Sequence, residues 1–386
     1  MAWRKDSMNV TRKESCRVRR VYLGPVEARQ SISVTMSFSP EGCREKEIAE
    51  LDFSPKRLVE KTLNFESPER IPRQLWLLPW AERHHAEALR QLREMFPDDI
   101  LPAPAVYHKP TAIGDRYSQG IYIDEWGCVF ENPEDGIIGI VRKPLIADWQ
   151  SMEDFFPPES TLSLDKDAIN AFCQQSDRFI LSVTTARPFE RLQFIRTMEQ
   201  ALIDLIEQPS DLFELLRRIH EHYCKEIEIW AQTDVDGIAL MDDWGTQSSL
   251  ITSPDIFRKI FKPMYREYVK IARHYGKYVF LHSDGYIMDV FPDFIDIGVD
   301  AINSQIFCMG VRELGERFRG KITFWGEVDR QHLLPIGTRD DITQAVLEMK
   351  QALYDKGGVI AQCEFGLKAK PENVLAVFEE WNSLRI

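Results

Sequence analysis

From about Ser54 onward the apolar and polar positions of the chain fall into a regular beat. Ser54 to Asn64 carries apolar residues at helical spacing. The turn Glu66-Ser67-Pro68-Glu69-Arg70-Ile71-Pro72 follows, and Gln74 to Leu78 reads as a strand. A helix is expected over Ala81 to Phe96. Between Ile100 and Pro158 the pattern changes. Tyr122, Trp126, Cys128 and Phe130 share one parity, interrupted by Asp124, and a turn at Asn132-Pro133 leads into a second β-rich run, Gly136 to Val141. This predicts an antiparallel hairpin, Ile121 to Val141, inserted beside the ends of other strands.

The beat then resumes: strand Phe179 to Val183, helices Phe189 to Ile206 and Ser210 to Thr233, strand Gly237 to Met241, helix Ser253 to Tyr275, strand Tyr278 to His282 and helix Ile287 to Ile297. Strand Ala301 to Ser304, helix Val311 to Phe318, strand Ile322 to Trp325, helix Thr338 to Tyr354, strand Gly358 to Gln362 and helix Pro371 to Leu384 complete it. Apolar strands alternating with helices, with glycines closing helices at Gly276, Gly298 and Gly320, are expected of a parallel sheet with right-handed crossovers. The fold class is therefore α/β, a (β/α)8 TIM barrel over residues 54–386 with the hairpin insertion and an N-terminal extension, 1–53. No Gly-x-Gly-x-x-Gly opens a helix, and neither a Walker-type phosphate loop nor a Gly-x-Ser-x-Gly elbow occurs, so nucleotide binding and serine hydrolysis have no motif here.

Composition narrows the picture. Forty-eight basic against 61 acidic residues give a net charge of −13, which disfavours nucleic acid as a partner because phosphate contacts need clustered Lys and Arg. No apolar run is long enough to span a membrane. Seven cysteines without a Cys-x-x-Cys argue against a disulfide framework and a zinc ribbon, and favour a reducing, cytoplasmic setting. The first fifty residues lack periodicity. Arg4, Lys5, Arg12, Lys13, Arg17, Arg19 and Arg20 crowd the start without an apolar segment of secretory length, so a flexible or irregular extension is expected there.

The chemistry gathers at strand ends. Tyr278-Val279-Phe280-Leu281 runs into His282-Ser283-Asp284-Gly285, at the C-terminal mouth where a barrel builds its site. Four more strands deliver polar residues to that mouth: Asp242 and Asp243; Asn303 and Gln305; Glu327 and Asp329; Cys363 and Glu364. His282, Asp284 and Cys363 offer one nitrogen, one oxygen and one sulfur, enough for a catalytic metal with an open position. The same residues could also line a metal-free polar pocket, with a hydrogen-bonded histidine and a helix-capping aspartate.

Leu240-Met241-Asp242-Asp243-Trp244-Gly245-Thr246-Gln247, Ile251-Thr252-Ser253-Pro254 to Phe261-Lys262-Pro263, Phe280 to Gly285, Ile297 to Asp300 and Gly358 to Cys363 resemble the uroporphyrinogen decarboxylase superfamily, and within it the corrinoid-dependent methyltransferase branch. The resemblance covers about residues 54 to 386. It implies a metal-dependent transfer of methyl between a small methoxylated or thiol compound and a corrinoid protein, with zinc or another divalent metal held through a His-x-Cys pair and a later Cys. His282 and Cys363 fall on the first and last of these, while Asp284 replaces the middle Cys and makes the set harder. The decarboxylase branch carries Arg-Gln-Ala-Gly-Arg where this chain has Arg73-Gln74-Leu75-Trp76-Leu77, so decarboxylation is the lesser reading, beside a non-catalytic tetrapyrrole- or ligand-binding barrel. Asp242, Asp243 and Glu327 are candidates for orientation or proton transfer. Trp126, Trp244, Asn303, Phe307 and Trp325 are candidates for the substrate pocket.

Overall fold

The computed structural model describes residues 54–184 and 186–384, so the expected extension 1–53 lies outside the described residues. The strands are β1 (Arg73–Leu77), β2 (Ile100–Pro102), β3 (Gly120–Ile123), β4 (Val129–Asn132), β5 (Ile140–Val141), β6 (Phe179–Thr184), β7 (Gly237–Met241), β8 (Tyr278–Ser283), β9 (Ala301–Ser304), β10 (Thr323–Trp325) and β11 (Val359–Phe365). Eight of them form one sheet in the order β1-β11-β10-β9-β8-β7-β6-β2. All of its strand pairs are parallel. With helices packed around it, this is the (β/α)8 barrel expected from the sequence.

The ring closes between β1 and β2 through a seam built largely from side chains. The Asp99 N–H donates to the Arg73 carbonyl at 2.9 Å, the Leu75 N–H to Asp98 Oδ1 at 2.6 Å, and Gln74 Nε2 to the Ile100 carbonyl at 3.2 Å. Strand alternation divides the interior. Phe280 meets Phe179 and Trp325 at ring-centroid distances of 5.6 and 5.0 Å inside the barrel, whereas Val279 and Leu281 join the layer between barrel and helices. That outer layer is supplied by amphipathic helices such as Ser210–Ala231, which buries Leu212, Leu215, Leu216, Ile219, Tyr223 and Ile227 at helical spacing. Each fully buried side chain of this size contributes about 1.5–3 kcal/mol relative to exposure.

The departures from expectation have local causes. The helix expected over Ala81 to Phe96 is two, Pro79–His84 and Ala86–Met95, broken at His85. The one expected over Phe189 to Ile206 breaks at Thr197, which has φ +70°, beside the buried Arg196–Asp204 ion pair at 2.7 Å. The hairpin is a three-stranded antiparallel sheet, β3-β4-β5. It is pinned to the C-terminal side of the barrel: Asp124 pairs with Arg191 at 2.5 Å on the helix after β6, and Gly136 packs on Trp80 in the helix after β1. No described helix is long and apolar enough to cross a membrane.

Candidate metal centre at the barrel mouth

Register brings the site together. Met241 pairs with His282 and His282 with Asn303, so the ends of β7, β8 and β9 stand at one level. His282 shares the inward parity of Phe280, and Asp243 and Asp284 continue the inward parity of their own segments. Asp243, His282 and Asp284 each present a ligand atom, and these atoms lie within 4.8 Å of one another. His282 Nε2 is 3.6 Å from Asp243 Oδ1 and 3.5 Å from Asp284 Oδ1. Ligands on bonds of about 2.1 Å at tetrahedral angles stand about 3.4 Å apart, so the spacing suits a divalent cation at the centre.

The histidine is oriented for that task. Asn303 is fully buried, and its amide NH2 donates to the Trp325 carbonyl, which leaves its Oδ1 to accept from His282 Nδ1–H at 2.6 Å. The proton thus sits on Nδ1, and the Nε2 lone pair faces the two carboxylates. Trp76 supports the ring from below, at 5.2 Å between centroids. Asp284 Oδ2 is held by Arg330, whereas its buried Oδ1 has no hydrogen-bond partner. An orphaned carboxylate oxygen aimed at a free imidazole nitrogen is what a bound cation would satisfy.

The two carboxylate-bearing segments are fastened to each other. The Asp284 N–H donates to Asp243 Oδ1 at 2.9 Å, the Gly245 N–H to the Asp284 carbonyl at 3.1 Å, and the Tyr286 N–H to the Thr246 carbonyl at 2.7 Å. Two glycines permit this contact. A Cβ on Gly285 would lie 2.3 Å from the Gly245 carbonyl carbon, and one on Gly245 would lie 2.4 Å from the Tyr286 nitrogen.

Beside the centre lies a cavity of about 260 Å³, bounded by Phe307, Cys308, Glu327, Asp329 and Arg330. Arg330 is shared among Asp284, Glu364 (3.1 Å) and Glu327 (3.4 Å). Glu327 is 2% exposed, and neither of its oxygens makes a hydrogen bond. Burial holds its carboxyl well above the usual range; Arg330 opposes this, and Asp284, Glu364 and Asp329 add to it.

Several sequence expectations are corrected. Cys363 does not join His282 and Asp284; Asp243 does. The strand expected to end at Gln362 continues to Phe365, and Cys363 shares the outward parity of Val359, Ala361 and Phe365 in the apolar layer. There burial, with Glu327 and Glu364 adding, pushes its thiol upward and disfavours the thiolate a metal would need. Asp242 also faces outward. It accepts from the Phe189 and Glu190 N–H groups at 2.8 and 2.7 Å and from the Tyr265 hydroxyl, capping a helix rather than facing the mouth.

Trp244 is fully buried, stacked on Phe189 at 4.2 Å, and donates to Tyr265, so it walls no pocket. Trp126 packs among Phe155, His222 and Tyr223 beneath the small sheet. Trp325 is an interior plug whose indole N–H donates to Gln74, and Asn303 serves His282. Phe307 does line the cavity. Pattern reading missed Trp76, Arg330 and Glu190. The inward parity of β1 marks Trp76, but nothing in the local pattern marks Arg330. Glu190 follows Pro188 on the helix after β6. Its Oε2 is buried without a hydrogen bond, 3.8 Å from the Arg187 guanidinium, and burial pushes its carboxyl upward, with Arg187 opposing and Asp243 adding.

A family model described as uroporphyrinogen decarboxylase (URO-D) matches residues 121–384. Among solved structures, a methyltransferase from Methanosarcina mazei is similar with a TM-score of 0.63 and 16% identity, over 86% of this chain and 98% of that one. A psychrophilic glycoside hydrolase family 10 endo-β-1,4-xylanase is similar with a TM-score of 0.37 and 9% identity, over 77% and 86%. No curated protein sequence matches.

Proposed function

We propose, from the premise that the chain belongs to the uroporphyrinogen decarboxylase family, that it is a metal-dependent methyltransferase moving methyl between a small methoxylated or thiol compound and a corrinoid protein. The observation that carries this reading is the convergence of the His282 Nε2 lone pair, Asp243 and the orphaned Asp284 Oδ1 at the barrel mouth. The barrel's likeness to a methyltransferase from Methanosarcina mazei is compatible with it. Asp243, His282 and Asp284 would hold zinc or another divalent cation, which supplies Lewis acidity toward a substrate oxygen or sulfur. A set of one nitrogen and two carboxylates is harder than one with thiolates, and favours the oxygen of a methoxy group.

The chain's own groups have separable tasks in that direction. Asn303 fixes the imidazole, Arg330 anchors Asp284 through Oδ2, and Glu327, whose carboxyl burial holds well above the usual range, is the chain's candidate proton donor next to the cavity. As the methoxy C–O bond breaks, its electron pair would remain on oxygen, which would take a proton from Glu327. A reduced corrinoid on a partner protein, when bound, would supply the electron pair that accepts the methyl carbon. A cytoplasmic setting accompanies this reading, since the described cysteines are free thiols.

Decarboxylation of a polycarboxylated tetrapyrrole has less support. Arg73 stands at the start of β1, away from the mouth, with its Nε donating to the Pro97 carbonyl. The test is elemental analysis together with methyl transfer from a panel of methoxylated and thiol compounds to a reduced corrinoid. Stoichiometric metal with transfer is expected. Protein that carries no metal and cannot be loaded would overturn the proposal.

A further inference from the structure

We propose that Gln74 is a positioning residue for the metal centre: its single side-chain oxygen fixes the two tryptophans that hold His282 in place. This inference rests on the metal-centre reading and extends it below the residues that face the cation. Gln74 and Trp76 are two apart on β1 and share its inward parity, so both enter the barrel interior, where Gln74 is 6% exposed. Trp76, the later of the two on the strand, stands on the side of the mouth.

Both ends of that amide are engaged. Its Oε1 accepts from the Trp76 indole N–H at 3.0 Å and from the Trp325 indole N–H at 2.8 Å, and its Nε2 donates to the Ile100 carbonyl at 3.2 Å. An indole N–H only donates, so the amide has one workable orientation, with its oxygen toward both rings and its nitrogen toward the backbone. Gln362, the register partner of Gln74 on β11, makes no hydrogen bond through its amide, so the indoles draw on Gln74 and not on it.

From the two rings the constraint passes to the imidazole by two routes. Trp76 meets the His282 ring at 5.2 Å between centroids, and Trp325 meets Trp76 edge-on at 5.1 Å. The Trp325 backbone carbonyl accepts from the Asn303 amide, whose oxygen holds His282 Nδ1–H. The first route limits how the imidazole tilts, and the second fixes which nitrogen faces Asp243 and Asp284. Removing the Gln74 oxygen leaves two indole N–H groups inside the barrel without an acceptor. A turn of either ring relieves that cost, and the imidazole loses support in the same motion.

The test measures cobalt(II) uptake by the full chain, through competition against a chelating dye and through the visible absorption of the bound ion, whose bands follow the arrangement of its ligands. Gln74→Met matches the side chain in length and lacks the oxygen; it should weaken cobalt(II) binding about 10-fold and alter the spectrum. Trp76→Phe keeps a ring and loses the N–H, and should weaken binding about 3-fold. The double variant should stay within about 2-fold of Gln74→Met, because the two changes act along one path. Asp99→Ala separates positioning from stability. Its carboxylate meets Arg70 and the Arg73 N–H and neither indole, so this variant should keep the affinity and the spectrum of wild type. Circular dichroism confirms that each variant is folded, and Trp76→Phe decides the matter if Gln74→Met does not fold. Unchanged affinity and spectrum in the deciding variant, fully multiplicative losses in the double variant, or an equal spectral change in Asp99→Ala would overturn the proposal. Wild type that takes up no cobalt(II) would sink the metal-centre reading along with it, whereas tight wild-type binding beside an indifferent Gln74→Met would sink this inference alone.

Discussion

At the scale of single residues, what matters is which way a side chain points. His282 and Asp284 could be read from the chain because they are two apart and follow an apolar run whose parity is plain. Cys363 could not, because its direction depends on where β11 ends. Extending the strand to Phe365 turns the cysteine outward and leaves Gln362 and Glu364 inward. The metal-affinity consequence is sharp. Asp243→Ala or Asp284→Ala should lower affinity for a divalent cation by at least about 100-fold, and Asn303→Ala by about 10 to 100-fold. Cys363→Ala should leave affinity unchanged and cost only about 1–2 kcal/mol of stability. Competition against a chelating dye, with a thermal melt beside it, reads both. A second prediction concerns Glu226, buried under the small sheet. Burial pushes its carboxyl up to about 8, with Arg191 and Arg187 opposing and Glu125 adding. The folded state therefore binds more protons than the unfolded chain between about pH 4.5 and 8, and unfolding free energy falls as pH rises through that window. Glu226→Gln should melt a few degrees higher than wild type at pH 9, and the gap should close by pH 5. An equal gap at both pH values would refute the assignment.

At the scale of elements, seven barrel strands were legible as apolar runs between helices, and the eighth was not. β2 is three residues long and ends in Pro102, too short to show a period. Its place is fixed from outside, by the acidic pair that precedes it. Asp99 is fully buried, is held bidentately by Arg70 at 2.6 and 2.7 Å, and accepts from the Arg73 N–H at 2.9 Å. Breaking a buried pair leaves an uncompensated charge, discounted here because Arg70 is 39% exposed. Asp99→Ala should therefore cost about 2–4 kcal/mol in chemical denaturation while leaving divalent-cation affinity intact, since the seam lies at the opposite end of the strands from the mouth. A variant that lost both equally would show the seam and the centre to be coupled. The helix break at Thr197 was equally invisible to pattern, because the Arg196–Asp204 pair beside it is a tertiary contact.

At the scale of the whole molecule, the family and the barrel were readable from segments spread along the chain, whereas the pocket is set by loops whose sequences carry no period. A cation that binds only the folded chain should stabilise it by about 2.7 kcal/mol at one hundred times its dissociation constant. Melting temperature should thus rise with added divalent metal in wild type and hardly move in Asp284→Ala; a rise of equal size in both would place the stabilising ion elsewhere. The glycine contact between the segments after β7 and β8 carries a further consequence, for the history the molecule can have. Gly245 and Gly285 touch backbone to backbone, so a side chain at either needs simultaneous retreat of the other segment, and no single replacement offers that. Mutational change in substrate preference is then channelled into the segments after β9 and β10, where Phe307 and Gln331 can vary one at a time while the half of the mouth that carries Asp243, His282 and Asp284 stays as it is.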